Sequence, residues 1–293
     1  VLAILEKKVK GRRGQHSTAP WWQHERPRDD IYSRIHGRAR VLVQSRISAN
    51  FSFCFVPTGS VYDIALNVFF YDDYAHFSVL QSRVHEVWAR FFGSSLEDRL
   101  RYTPTDCFET FPFPNVFSIH SDGGPSANEL TSILVELESI GRNYSDFRAN
   151  LMAEEKEGLT KTYNRFHDPN ETSHLIVRLR ELHSALDFVT LRAYGWIDLA
   201  EQASCNYLLD FDDEEEDDGS SSRRRKPWRY RWPDEFRDEV LARLLELNAQ
   251  RAAEEQRSGA AAEKEASKNR SSIKATKKKS APKSTPLLDR ESG

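Results

Sequence analysis

Residues 80–114 read LQSRVHEVWARFFGSSLEDRLRYTPTDCFETFPFP, and two kinds of chain meet within them. Val79, Leu80, Val84, Val87, Trp88 and Phe91 recur at helical spacing, with Arg83 interrupting their face. That pattern predicts an amphipathic helix. Asp73 is placed to cap its start and Gly93 to end it. Pro104, Pro112 and Pro114 then forbid a continuous helix. Phe108, Phe111 and Phe113 are expected to pin the extended chain against a core, together with Trp88 and Tyr102.

Upstream the period changes to two. Arg40–Val43 reads as a short strand, and Phe51, Phe53 and Phe55 alternate with Ser52 and Cys54, so three rings share one sheet face. Pro57-Thr58-Gly59-Ser60 is turn chemistry, and residues 61–70 read as a second strand region. Residues 1–37 read as an incomplete lead-in. Leu2, Leu5 and Val9 share a short helix face that Gly11 and Gly14 end, and Trp21-Trp22 before Pro27 predicts irregular chain.

Downstream of Gly123-Gly124-Pro125 the chain becomes helical. Asn128 is an expected N-cap for a helix with the face Leu130, Ile133, Leu134, Leu137 and Ile140, running to about residue 157 with Gly158 at its end. A second helix, over 171–194, carries Leu175, Leu179, Leu182 and Leu186 and stops at Gly195. A third begins near Pro233 and buries Phe236, Val240, Leu241, Leu244 and Leu245. The fold class expected is α+β: a partial domain of short strands plus helix, a helical C-terminal domain, and a disordered tail. The expected boundaries are 1–37, 38–117, 118–252 with a charged insert at 210–226, and a basic tail over 253–293.

Composition suits a chain with a real core: 39% of residues are hydrophobic and 30% charged. The net charge of −3 is unevenly spread. The first fifty residues hold eleven Lys/Arg against four Asp/Glu, an excess that attracts phosphates. Asp210–Asp218 is almost wholly acidic and lies next to Arg223–Lys226. A solvated insert is the reading favoured; the sharper one is an internal mimic of DNA. Cys54, Cys107 and Cys205 are far apart, and no Cys-x-x-Cys pair exists, so neither a zinc site nor a disulfide framework is expected. No apolar run reaches the roughly 18 residues a membrane helix needs, no secretory leader pattern is present, and a reducing cytoplasm fits. The first residue is Val1, which fits a fragment or a truncated reading frame.

Several ordered blocks carry a family resemblance. They are Gln81-Ser82-Arg83-Val84-His85 with Trp88, then Arg101-Tyr102-Thr103, then Phe108-Glu109-Thr110-Phe111-Pro112-Phe113-Pro114. Further on come Gly158–Pro169, Leu179–His183, Ala193–Trp196 and Trp228–Pro233. Over roughly residues 38–250 the chain resembles the target-recognition and C-terminal part of prokaryotic adenine-specific DNA methyltransferases, the single-chain restriction–modification enzymes of types IIG and IIL. The resemblance implies site-specific recognition of double-stranded DNA, in the cytoplasm and at the nucleoid. It also implies a methyltransferase or nuclease domain, upstream or separately encoded, and S-adenosylmethionine as the cofactor of the parent enzyme.

The chemistry of such a parent needs a Gly-rich donor loop and an Asn/Asp-Pro-Pro-Phe/Tyr motif beside the flipped adenine. No Pro-Pro pair occurs, and no Gly-x-Gly follows a strand, so this chain alone is expected to bind no cofactor and transfer no methyl group. Glu6-Lys7-Lys8 and Glu154-Glu155-Lys156 are chance-level Glu-x-Lys triplets, not a nuclease centre. His167-Asp168 and His183 lack metal-ligand spacing, and structural histidines are expected. The DNA-binding candidates are Gln44, Ser45, Arg46, Ser48 and Asn50, polar residues between two strands with base-reading chemistry, and Arg38 and Arg40, suited to phosphates. Gln81, Ser82, Arg83 and His85 open a helix, where amides favour phosphate, although hydrogen bonds inside the domain explain Arg83 and His85 equally well. A free-standing specificity or anti-restriction protein and a helical interaction module are the alternatives.

Overall fold

The computed structural model describes residues 2–10, 29–96, 99–117, 127–209 and 227–257. The paired tryptophans, the Gly-Gly-Pro linker, the acidic run and the basic tail from residue 258 on lie outside these residues.

A short helix α1 (Leu2–Val9) precedes α2 (Asp29–Ile35). The second was not expected within the lead-in. Its Ile31 and Ile35 are buried against Val41 and Val43. These belong to β1 (Arg40–Ser45), the centre of an antiparallel sheet with β3 (Phe53–Pro57) on one side and β4 (Leu66–Phe69) on the other; β2 (Ile47–Ser48) lies between β1 and β3 in the chain. Alternation along β1 sends Val41 and Val43 to α2 and Leu42 to the opposite face, where it joins Phe51, Phe53 and Phe69. The strand expected over 61–70 is shorter: Val61 and Ile64 are 78% and 74% exposed in the loop before β4.

The single helix expected after Asp73 is two. In α3 (Tyr74–Gln81), Asp73 caps the start by accepting from His76 N at 2.8 Å. Ser82 then leaves the helix at ψ 158° and caps α4 (Arg83–Phe92). Its hydroxyl donates to Val79 O at 2.7 Å and accepts from His85 N at 3.4 Å, so one serine closes one helix and opens the next. Phe91 is 55% exposed, because the break rotates α4 away from the single stripe. Gly93 ends α4 with an ordinary negative φ of −73°; a Cβ there would meet Ala89 O and Leu100 Cδ1 at 2.5 Å. Close packing, not left-handed backbone, explains this glycine.

The hairpin β5 (Ser94–Leu96) and β6 (Arg99–Arg101) follows, then the one-turn α5 (Pro104–Cys107) with proline at its start and a 3-10 turn over Asn115–Phe117. Strand β6 also pairs with β2, giving a second small sheet in the order β2-β6-β5. The helical part consists of α6 (Ala127–Glu154), α7 (Leu159–His167), α8 (His174–Ala193), α9 (Ile197–Gln202) and α10 (Asp234–Arg257), with a hairpin of β7 (Asn206–Leu209) and β8 (Trp228–Arg231). Helix α6 already includes Asn128, so that residue is not its cap. It ends before Lys156, which takes φ 52°, and Gly158 caps α7 instead of ending α6. Gly195, at φ 78°, stops the α8 region as expected. Helix α10 runs five residues past the boundary expected at 252.

Helices α3, α6 and α8 pack on one another, and α10 lies on α4. One buried cluster joins Leu42, Phe53 and Phe69 of the sheet to Leu151, Tyr163, Leu179 and Leu186 of the helices. A second joins Val84, Val87, Trp88 and Phe111 to Leu137, Leu191, Val240 and Leu244. The boundary expected at 117/118 therefore does not divide the core.

Gly141, in the middle of α6, makes the α3–α6 approach possible. A Cβ there would lie 2.4 Å from Tyr74 O and 2.3 Å from Ser78 Oγ. Glycine to alanine within a helix ordinarily gains up to about 1 kcal/mol. Here Gly141→Ala is expected to cost about 1–3 kcal/mol by overpacking. A denaturant titration that shows the variant to be more stable than the native chain rules out this packing.

Candidate nucleic-acid interface

The strongest sequence block is interior. Arg83 N donates to Asp187 Oδ1 at 2.8 Å and Arg83 Nη1 to Asp187 Oδ2 at 2.5 Å, with both residues buried. Burial pushes the Asp187 carboxyl up to about 6, against the downward pull of Arg83. Gln81 Oε1 accepts from Phe53 N at 2.9 Å and from Arg148 Nη1 at 3.2 Å, while Arg148 Nη2 donates to Phe53 O at 2.6 Å. Both backbone groups of Phe53, on an edge strand, are thereby satisfied by side chains of α3 and α6. His85 is fully buried, with Nδ1 3.0 Å from Leu80 O and Nε2 3.2 Å from Cys107 O and 3.1 Å from the Tyr102 hydroxyl. Burial pushes its pKa down to about 4, so the ring is neutral and carries one proton between these acceptors. Gln81, Ser82, Arg83 and His85 thus hold strands to helices from inside the core, the internal hydrogen bonding that was the second reading for Arg83 and His85.

The candidates nearer β1 separate into two groups. Gln44 is 2% exposed and accepts from Asn67 Nδ2 at 3.1 Å. Asn50 is 6% exposed, bonded to Asn164 at 3.3 Å and to Arg229 Nη1 at 2.9 Å. Neither lies in an open loop, because Gln44 is inside a central strand and Asn50 is tied to the helical part. Arg40 stacks on Phe55 and Tyr74, its guanidinium carbon 3.9 and 4.2 Å from their ring centroids, and donates to Asp72 O. Arg38 pairs with Asp72 at 2.6 Å. Ser45 and Ser48 donate to the backbone of Ile47 and Asn50, and Arg46 Nη1 reaches Ile64 O at 3.4 Å. Ser45, Arg46 and Ser48 are partly exposed.

The outward face of the small β2-β6-β5 sheet was missed. Arg99 and Arg101 are exposed while Leu100 between them is buried, so both guanidinium groups stand on one face. The register sets Arg101 opposite Ile47 on β2 and Ser94 on β5, and Tyr102 N donates to Arg46 O at 2.8 Å. Ile47 is 42% exposed on this face. The signal was the alternation Arg99-Leu100-Arg101, obscured because a run of three is too short to announce a strand.

Among the described residues no cluster of three or more His, Cys, Asp or Glu is placed to hold a metal ion. Cys54, Cys107 and Cys205 are all unbridged. No described helix is long and apolar enough to cross a membrane.

Arg99 and Arg101 thus stand together on one face of the small β2-β6-β5 sheet. Residues 34–115, which contain that face, match the family model described as MmeI, target recognition domain. A solved structure described as the type IIL restriction–modification enzyme MmeI in complex with DNA aligns at 16% identity with a TM-score of 0.46. It covers 74% of this chain, and this chain spans 22% of that one. Comparison with curated proteins gives no match.

The buried histidines set an acid limit on the whole platform. Burial lowers the pKa of His85 from 6.5 to about 4 and those of His167 and His183 well below 6.5. A depressed histidine pKa contributes stability above the unfolded value near 6.5 and loses it as pH falls through the folded value. Asp187, raised to about 6, acts in the opposite sense between about pH 6 and 4. Three histidines outweigh one carboxyl, so stability is expected to fall as pH drops from 6.5 to 4. His85 alone contributes about 3 kcal/mol of that fall. Thermal midpoints measured across this range should show a shallower decline in His85→Gln; equal slopes in the two proteins would contradict a neutral buried His85.

Proposed function

We propose that this chain reads a site on double-stranded DNA as the recognition part of an adenine-N6-modifying restriction–modification enzyme of the type IIL kind. The match of residues 34–115 to the MmeI target recognition domain carries the reading. The outward face of β2-β6-β5 supports it physically. A narrow antiparallel ribbon fits the major groove, and arginine pairs bidentately with guanine edges there. Arg46, Arg99 and Arg101 would read bases, Ser45 and Ser48 would serve base or phosphate, and Ile47 would offer apolar contact to a thymine methyl group. Arg38 would contact backbone phosphate; Arg40, stacked on two rings, would do so only with its outer edge. Methyl transfer from S-adenosylmethionine belongs in this reading to a separate methyltransferase part, upstream or separately encoded, and the assembly works on chromosomal DNA in the cytoplasm.

Duplex binding followed by fluorescence anisotropy tests the reading. Affinity should fall steeply with salt, because each phosphate contact releases counterions. On a selected site, Arg99→Ala or Arg101→Ala should cost about 1–3 kcal/mol and cost little on random duplex. Equal losses on both duplexes would assign these arginines to phosphates. Unchanged affinity in both variants would remove this face from the interface. With labelled S-adenosylmethionine, the chain alone should give no methyl incorporation above background.

A further inference from the structure

Between β3 and β4 the chain crosses residues 58–65 with its backbone tied down and two aliphatic side chains left in water. Thr58 N donates to Ala39 O at 3.2 Å and Thr58 Oγ1 to Arg38 O at 2.7 Å. Ser60 N donates to Pro57 O at 3.1 Å, and Ala65 N to Asp63 Oδ1 at 2.8 Å. The Tyr62 hydroxyl donates to Pro57 O at 3.1 Å, and the residue packs against the cluster of Val41 and Val43. Val61 and Ile64, on either side of this anchor, are the most exposed large aliphatic residues of the strand region. A loop fixed at this many points loses little entropy when something binds it.

The end of the loop lies beside the β2-β6-β5 ribbon. Arg46 N donates to Ala65 O at 2.8 Å, and Arg46 Nη1 to Ile64 O at 3.4 Å. Ile47, the next residue, stands opposite Arg101 in the register and is exposed. Ile64 and Ile47 thus border Arg46, one on the loop and one on β2. Neither side chain offers anything to a phosphate or to the donors and acceptors of a base edge. The apolar feature of a base pair in the major groove is the C5 methyl group of thymine, and the fork of an arginine fits the N7 and O6 of guanine.

We propose that Ile64 and Ile47 together read the C5 methyl group of a thymine beside the base that Arg46 contacts, which makes the loop 58–65 a second specificity element next to the ribbon. The proposal rests on the recognition reading above and narrows it. The DNA site contains thymine at a position where the methyl group itself is required, and the loop supplies half of that contact from outside the small sheet.

Exchange of thymine for uracil tests the proposal, because it removes the methyl group and keeps every Watson–Crick pair. The full chain first selects its preferred duplex from a random pool. Anisotropy titrations then compare that duplex with its uracil counterpart. The native chain should bind the uracil duplex about fourfold more weakly for each methyl group contacted. In Ile47→Ala/Ile64→Ala the two duplexes should bind alike. Ile64→Ala alone, a change in the loop, should shrink the uracil penalty by about twofold. Both isoleucines are exposed, so these variants leave no core cavity, and unchanged far-ultraviolet dichroism checks the fold. A selected duplex without thymine, equal affinity of the native chain for both duplexes, or a uracil penalty retained in the double variant would overturn the methyl contact. Sequence-selective binding in any of those cases leaves the recognition reading standing. A native chain with no sequence-selective binding would overturn both.

Discussion

The buried pair Arg83–Asp187 is the interaction on which the rest of this molecule depends. One partner begins α4, inside the matched segment 34–115; the other lies on α8, deep in the helical part. Two charges removed from water are costly, and their attraction offsets that cost only when the geometry is good and the remaining donors are satisfied. Here the carboxylate accepts from both the backbone and the guanidinium of Arg83, and the other arm of the guanidinium reaches Tyr230 O at 3.4 Å. The pair therefore fixes α4 against α8 and the β7–β8 hairpin at once. Hydrophobic contact alone permits sliding; a two-point ionic contact sets register.

That constraint has consequences at the surface. Arg148 and Gln81 complete the hydrogen bonding of Phe53 from α6 and α3, so the sheet is held from the helical side by polar groups as well as by rings. The β2-β6-β5 ribbon joins this frame beside β1, where Tyr102 N donates to Arg46 O. The arrangement that buries Arg83 also brings β8 and α10 against α4, through the bond to Tyr230 O and the packing of α10 on that helix.

Much of the architecture was legible in the sequence. The alternation of Phe51, Phe53 and Phe55, the Asp73 cap and the leucine stripe of α8 each report a local period, and all three appear in place. The target-recognition match was legible from ordered blocks, not from any one residue. What failed depended on contacts distant in sequence. Arg83 on an otherwise apolar stripe read equally as a phosphate ligand, because its partner Asp187 lies 104 residues away. Gln44 and Asn50 resembled loop polar residues, and only Asn67 and Arg229 show them to be interior. Ser82 breaks a helix that periodicity alone continues, since a serine cap competes with helix geometry only where the following turn has somewhere to pack. Arg99 and Arg101 were overlooked because a three-residue strand carries too few alternations to stand out.

Native-state hydrogen exchange on Asp187→Ala tests most directly whether recognition segment and helices form one clamped unit. Removing one partner of a buried pair costs about 3–5 kcal/mol. The account predicts that protection of slow amides in β1 and β3 falls by the same free energy as protection in α8, although the substitution lies only in α8. A loss confined to α8 and α6, with the sheet amides of residues 41–56 protected as before, would contradict it.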